Sequence, residues 1–122
     1  MVEQVEQLLK LADEFFRAEN WESASAAFET IIKNSETHSV NPLILNNLGR
    51  CYLGLSDWRK AEDVLLKAST LYKKIRHSYN TTAKQTFFGL GKAKFELHKY
   101  EEAKQAYQTA MDIYELKDIG IE

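Results

Sequence analysis

Proline occurs once in this 122-residue chain, glycine five times and cysteine once. So few turn-formers argue against a β-rich fold, which draws on glycine and proline at each tight turn. One cysteine, Cys51, excludes an internal disulfide, and three scattered histidines offer no pair at metal-ligand spacing. No apolar run approaches the roughly 20 residues that cross a bilayer. Neither sign of charge dominates, since the formal net charge is −2, so the basic face that nucleic acid requires is missing. The opening residues MVEQVEQLLK carry acids where a secretion signal carries bases. With the unpaired thiol, that predicts a reducing, cytoplasmic setting. What is present is the balance of a soluble globular protein, 44% hydrophobic and 28% charged, at a length suited to one domain.

Helical spacing runs through the whole chain. Val5, Leu8, Leu11, Ala12, Phe15 and Phe16 mark a first helix, and Asn20 caps a second from about Trp21 to Lys33. The polar stretch Ser35 to Ser39 reads as a loop. Asn41-Pro42 opens a third helix, with proline at the first position, where its missing N–H costs nothing. Ser56-Asp57 caps a fourth, expected to run from Trp58 to about His77. A polar link over Ser78, Tyr79, Asn80, Thr81 and Thr82 leads to a fifth, ending near His98. The sixth starts near Tyr100 and is expected to cover at least Tyr114. No segment shows the period of two of an amphipathic strand. The prediction is six helices in three hairpins.

The hairpins repeat one another. Ala12, Gly49 and Gly91 stand 37 and 42 residues apart, and the same offsets carry Leu11 to Leu48 and Leu90, Trp21 to Trp58 and Tyr100, and Ala24 to Ala61 and Ala103. The central copy reads Leu45-x-x-Leu48-Gly49-x-x-Tyr52 followed by Ala61-x-x-x-Leu65-x-x-Ala68. Around it lie Leu8-x-x-Leu11-Ala12-x-x-Phe15 with Ala24-x-x-x-Phe28, and Phe87-x-x-Leu90-Gly91-x-x-Lys94 with Ala103-x-x-x-Tyr107.

This pattern resembles the tetratricopeptide repeat, in which small residues let two helices approach and large ones fill the space between hairpins. The repeats fall at about residues 5–38, 42–77 and 82–116. Both offsets exceed the usual period of about 34 residues, and the Asn-Asn-Leu-Gly start of the third helix is similar to the long repeats of kinesin light chains and spindle-orientation adaptors. The resemblance implies an all-α, right-handed solenoid of three antiparallel hairpins forming a single domain. Two departures stand out. Every copy lacks the terminal proline, and Lys94 occupies the aromatic position of the third copy, with Phe95 beside it as the expected compensation.

In proteins of this family the first helix of each hairpin lines a concave groove that holds a peptide or a partner helix. Carried onto this chain, the groove comprises Leu9, Asp13, Phe16 and Arg17 from the first hairpin, Asn46, Asn47, Arg50 and Leu53 from the second, and Gln85, Phe88, Lys92 and Phe95 from the third. Three cations, amides and apolar groups suit a peptide with acidic and apolar side chains. The same Phe16, Leu53 and Phe95 equally read as packing between hairpins. The clamp by which some family members hold a chaperone's terminal carboxylate is not expected: Leu9, Asp13, Gln85 and Gly89 stand at four of its positions and only Asn47 matches.

Nothing points to an enzyme, metal or cofactor. Cys51, between Gly49 and Tyr52, reads as a small buried hydrophobe, and Glu62-Asp63 and Glu101-Glu102 as exposed carboxylates favouring helix starts. Gly89-Leu90-Gly91 lies within a helix rather than a phosphate loop. The alternative to a groove is self-association through the final helix, whose Ala106, Tyr107, Ala110, Met111, Ile113 and Tyr114, followed by Ile119 and Ile121, form an expected open face. A continuation of the array, or the last residues folding back, would cover that face equally well.

Overall fold

The computed structural model describes residues 2–36, 41–74 and 80–113, which form six helices and, among the described residues, no strand. They are α1 (Val2–Arg17), α2 (Trp21–Asn34), α3 (Pro42–Gly54), α4 (Trp58–Lys74), α5 (Thr81–Glu96) and α6 (Tyr100–Met111). Connections of three residues join α1 to α2, α3 to α4 and α5 to α6, so each pair folds back antiparallel. The hairpins then stack in series, α2 against α3 and α4 against α5, while α3 also reaches α5. The result is an all-α solenoid of three hairpins.

The three turns are copies of one device. Glu19, Ser56 and His98 adopt left-handed backbone, with φ of 58°, 57° and 63°. Each donates its N–H to the residue three before it, and the next N–H reaches back five residues: Asn20 to Phe15 at 2.9 Å, Asp57 to Tyr52 at 2.9 Å, Lys99 to Lys94 at 2.8 Å. That pairing satisfies the last carbonyls of the first helix. Glycine usually takes this position, so its absence hides all three turns from a search for turn-formers.

Asparagines start the helices. Asn20, Asn41 and Asn80 each accept a backbone N–H through Oδ1, from Ser23, from Leu43 and Ile44, and from Ala83. Asp57 caps α4 through Lys60 at 3.3 Å. Asn80 thus makes Thr81 and Thr82 the first turn of α5 rather than part of a link. The sixth helix also departs from expectation: it stops at Met111, and the Asp112 N–H bonds to the Gln108 and Thr109 carbonyls. The expected extension of α4 to His77, together with His38, Tyr79, Tyr114, Ile119 and Ile121, falls outside the described residues.

Small residues set the spacing of the helices. A Cβ on Gly49 would lie 2.4 Å from Leu65 Cγ, and one on Gly91 would lie 2.7 Å from Tyr107 Cδ1. Ala12, Ala24, Ala61 and Ala103 are buried at the matching crossings. Phe28 and Leu65, both fully buried, fill the space between hairpins, each side chain gaining about 1.5–3 kcal/mol from burial. Coverage differs at the two ends. Leu11 is 43% exposed, whereas its counterparts Leu48 and Leu90 are buried beneath a preceding hairpin. Ala106 and Ala110 on α6, and Ile113 just beyond its end, are buried in the core, which corrects their expected place on an open face; among the described residues of that face, Met111 alone is largely exposed.

Candidate functional site

The first helices α1, α3 and α5 supply every residue of the predicted groove. Arg50, half-buried on α3, is held from both sides. Its guanidinium lies 5.1 Å from the centre of the Phe16 ring on α1, and its Nη1 donates to Gln85 Oε1 on α5 at 3.3 Å. Phe16 is fixed in turn by edge-on contacts to Trp21 and Phe28, with ring centres 5.5 and 6.2 Å away. One line of contacts, Phe16–Arg50–Gln85, therefore crosses all three hairpins. A stacked arginine with one nitrogen engaged keeps its other donors for an oxygen ligand and loses little freedom in binding it.

The other predicted groove residues divide. Leu9, Asp13 and Asn47 are half-buried and Arg17 is exposed. Lys92 is exposed, 5.8 Å from the centre of the Trp58 ring and 3.5 Å from Glu96 Oε1. Asn46 is a correction. It is fully buried, accepting a hydrogen bond from Thr86 Oγ1 at 2.8 Å and donating to Asn47 Oδ1 at 3.3 Å. Its amide is consumed in joining α3 to α5 and cannot meet a partner. Leu53 also faces α5, where its Cδ1 lies 3.2 Å from the Cβ that Gly89 lacks. Phe88 and Phe95, the counterparts of Asn46 and Leu53, are 40% and 50% exposed, with no following hairpin over them among the described residues. They stand at the rim where the line of first helices meets the uncovered end of the third hairpin, against Tyr107 and Tyr100.

Charges that looked solvated prove to be structural. Lys94, only 8% exposed, donates to Glu102 Oε1 at 2.6 Å and Glu62 Oε2 at 3.1 Å, and Lys99 donates to the same Glu62 carboxylate at 2.8 and 3.0 Å. Glu62 is thus no free helix-start carboxylate, and Phe95, half-exposed against Tyr100, does not compensate for Lys94. Burial alone would lower the Lys94 pKa, but its two carboxylate partners outweigh that and raise it. Burial alone would raise the Glu62 pKa, and the hydrogen bonds from Lys99 and Lys94 hold it below its ordinary value. The signal for this cluster lay in the sequence: a lysine at an aromatic position must bring acids with it.

Cys51 is fully buried, and that burial pushes its thiol up to about 12 despite the lowering effect of Arg50, so it stands as a neutral, apolar-like group. Beside it, the Tyr52 hydroxyl donates to Glu29 Oε2 and ties α3 to α2. Among the described residues no helix is long and apolar enough to cross a membrane.

A family model for the tetratricopeptide repeat matches residues 41–115, well over half of the chain. A comparison with curated proteins gives no match.

Proposed function

Because the chain belongs to the tetratricopeptide repeat family, whose repeats mediate protein–protein interaction, we propose that it is an adaptor that holds a peptide or helix of a partner protein along its first helices. The carrying observation is the line Phe16–Arg50–Gln85. It spans three hairpins and fixes a cation whose remaining donors are free to take a carboxylate or a backbone carbonyl. Asn47 and Lys92 extend the polar surface on either side, and Leu9 and Phe16 supply apolar ground, which fits a segment alternating acidic and apolar side chains. Preformed helices leave most of the ordering cost to the partner. The module so read is a binding unit rather than a catalyst, and its single buried thiol suits the cytoplasm.

The test is a pull-down with residues 1–122 beside an Arg50→Glu variant shown by circular dichroism to keep its helices. One protein captured by the parent and lost from the variant is the expected result. Capture of the same protein by both would remove Arg50, and with it this surface, from recognition.

A further inference from the structure

We infer that the side of α4 turned away from α3 and α5 is a second protein-binding surface, taking an acidic helix whose carboxylates recur every seven residues. It shares no side chain with the face of the first helices.

α4 is the basic element of an acidic chain. Five cations and two acids give it a charge of +3 in a chain of −2, which leaves −5 on everything else. One of those acids, Glu62, is already engaged by Lys94 and Lys99. The cations gather on the exposed side. Lys60, Lys67 and Lys74 stand seven residues apart, two turns of helix each time, so they form one exposed row about 21 Å long. Arg59, Leu66 and Lys73 form a second exposed row beside it, with Leu66 47% exposed at its centre. Two of the ammonium groups rest on aromatic rings. Lys60 Nζ lies 5.6 Å from the centre of the Tyr52 ring, and Lys73 Nζ lies 5.8 Å from that of Phe87. None of the five cations has an ion pair among the described residues. The packing of α4 does not need them either, since its buried side is Ala61, Leu65, Ala68, Ser69 and Tyr72. Like charges so gathered repel one another, and a partner's carboxylates would relieve that repulsion.

Width and spacing select the occupant. The basic surface is one helix wide and has acids on both flanks. On one side the Tyr52 hydroxyl, beneath Lys60, donates to the exposed Glu29 of α2; on the other, Lys94 joins Glu62 to the exposed Glu102 of α6. A bilayer or a nucleic-acid duplex is broader than one helix and would meet those acids as it reached the lysines, whereas a single acidic segment would not. The lysines advance by about 10.5 Å, the rise at which a partner helix returns a side chain to the same side. An extended strand presents one face about every 6.7 Å and falls out of step. Leu66, among the cations, takes an apolar side chain beside the partner's central carboxylate. In a second copy of this chain α2 comes nearest, with Glu22 and Glu29 seven residues apart, but Glu29 already receives the Tyr52 hydroxyl and the exposed Lys33 follows.

The probe is a stapled helical peptide of three heptads, with a glutamate at the same place in each and a leucine beside the central one. Its isomer moves the central glutamate to the opposite side of the helix at unchanged charge. Fluorescence anisotropy against chain 1–122 should show several-fold tighter binding of the in-register peptide, weakening as salt rises. Lys67→Glu, checked by circular dichroism, should reduce that binding about tenfold or more, and a peptide with lysine for its central glutamate should restore it. Arg50→Glu should leave it unchanged, which separates this surface from the face of the first helices. Equal affinity of the two isomers, no binding of either, a Lys67→Glu loss that the lysine peptide does not restore, or loss with Arg50→Glu would each overturn the proposal. So would tighter binding to phosphatidylserine vesicles or duplex DNA that Lys67→Glu abolishes, which would make a broad anionic surface the occupant. A concentration-dependent mass that Lys67→Glu abolishes would overturn it too, in favour of a second copy.

Discussion

A single missing methyl group sets the distance between α3 and α4. Leu65 fills the space above Gly49 and is sealed on every side, so neither its Cγ nor its Cδ atoms can retreat from a side chain added there. Gly49→Leu should therefore overpack the crossing and destabilise the protein by about 1–3 kcal/mol or more, read as a lowered denaturation midpoint. An unchanged midpoint would mean that the helices are not held at this spacing. Cys51 and Asn46 belong to the same scale. Each has the chemistry of a functional side chain, and burial removes it from function, the thiol by desolvation and the amide by its bond to Thr86.

Among the elements, the junction of α4, α5 and α6 is held by charge where the other two hairpins use an aromatic. Lys94→Ala removes the central cation from Glu62 and Glu102. Breaking a fully buried pair costs about 3–5 kcal/mol, but Lys99 still serves Glu62 and Glu102 is largely in water, so about 1–3 kcal/mol is expected here. The same cluster gives the junction an acid limit. The folded pKa of Glu62 is depressed, so its contribution is complete above its ordinary value of 4.5 and fades as pH falls through the lower folded value. Thermal melts across that window should show a steeper loss for the parent than for Glu62→Gln. Parallel curves would mean that the carboxylate carries no net stability.

Over the whole molecule, the main packing among the described residues runs between neighbouring hairpins, so stability is approximately a sum of hairpin and junction contributions. Gly54 lies against Trp21 at the first junction. Gly54→Val should push that ring away and speed amide hydrogen exchange in α1 and α2, while α5 and α6 stay protected. Uniform acceleration throughout would show one cooperative unit instead. The same series architecture explains the exposed patch at the end of the third hairpin, since every hairpin is built to be covered and the described residues place nothing over the last one.

The sequence by itself determined the helices, their order and their pairing. Caps such as Asn20 and Asn41 act within three residues, and the spacing of Ala12, Gly49 and Gly91 records close packing inside each hairpin. Those are short-range constraints, and composition and period carry them. Only the tertiary structure decided which residues are covered by a neighbour. Asn46 and Phe88 hold the same place in the repeat, yet one is sealed by Thr86 and the other stands at an open rim. Lys94 likewise found acids 32 residues before it and 8 after it, on two different helices. A repeat fixes what each hairpin offers, while burial and pairing depend on what the next hairpin brings, and that is settled only when the hairpins stack.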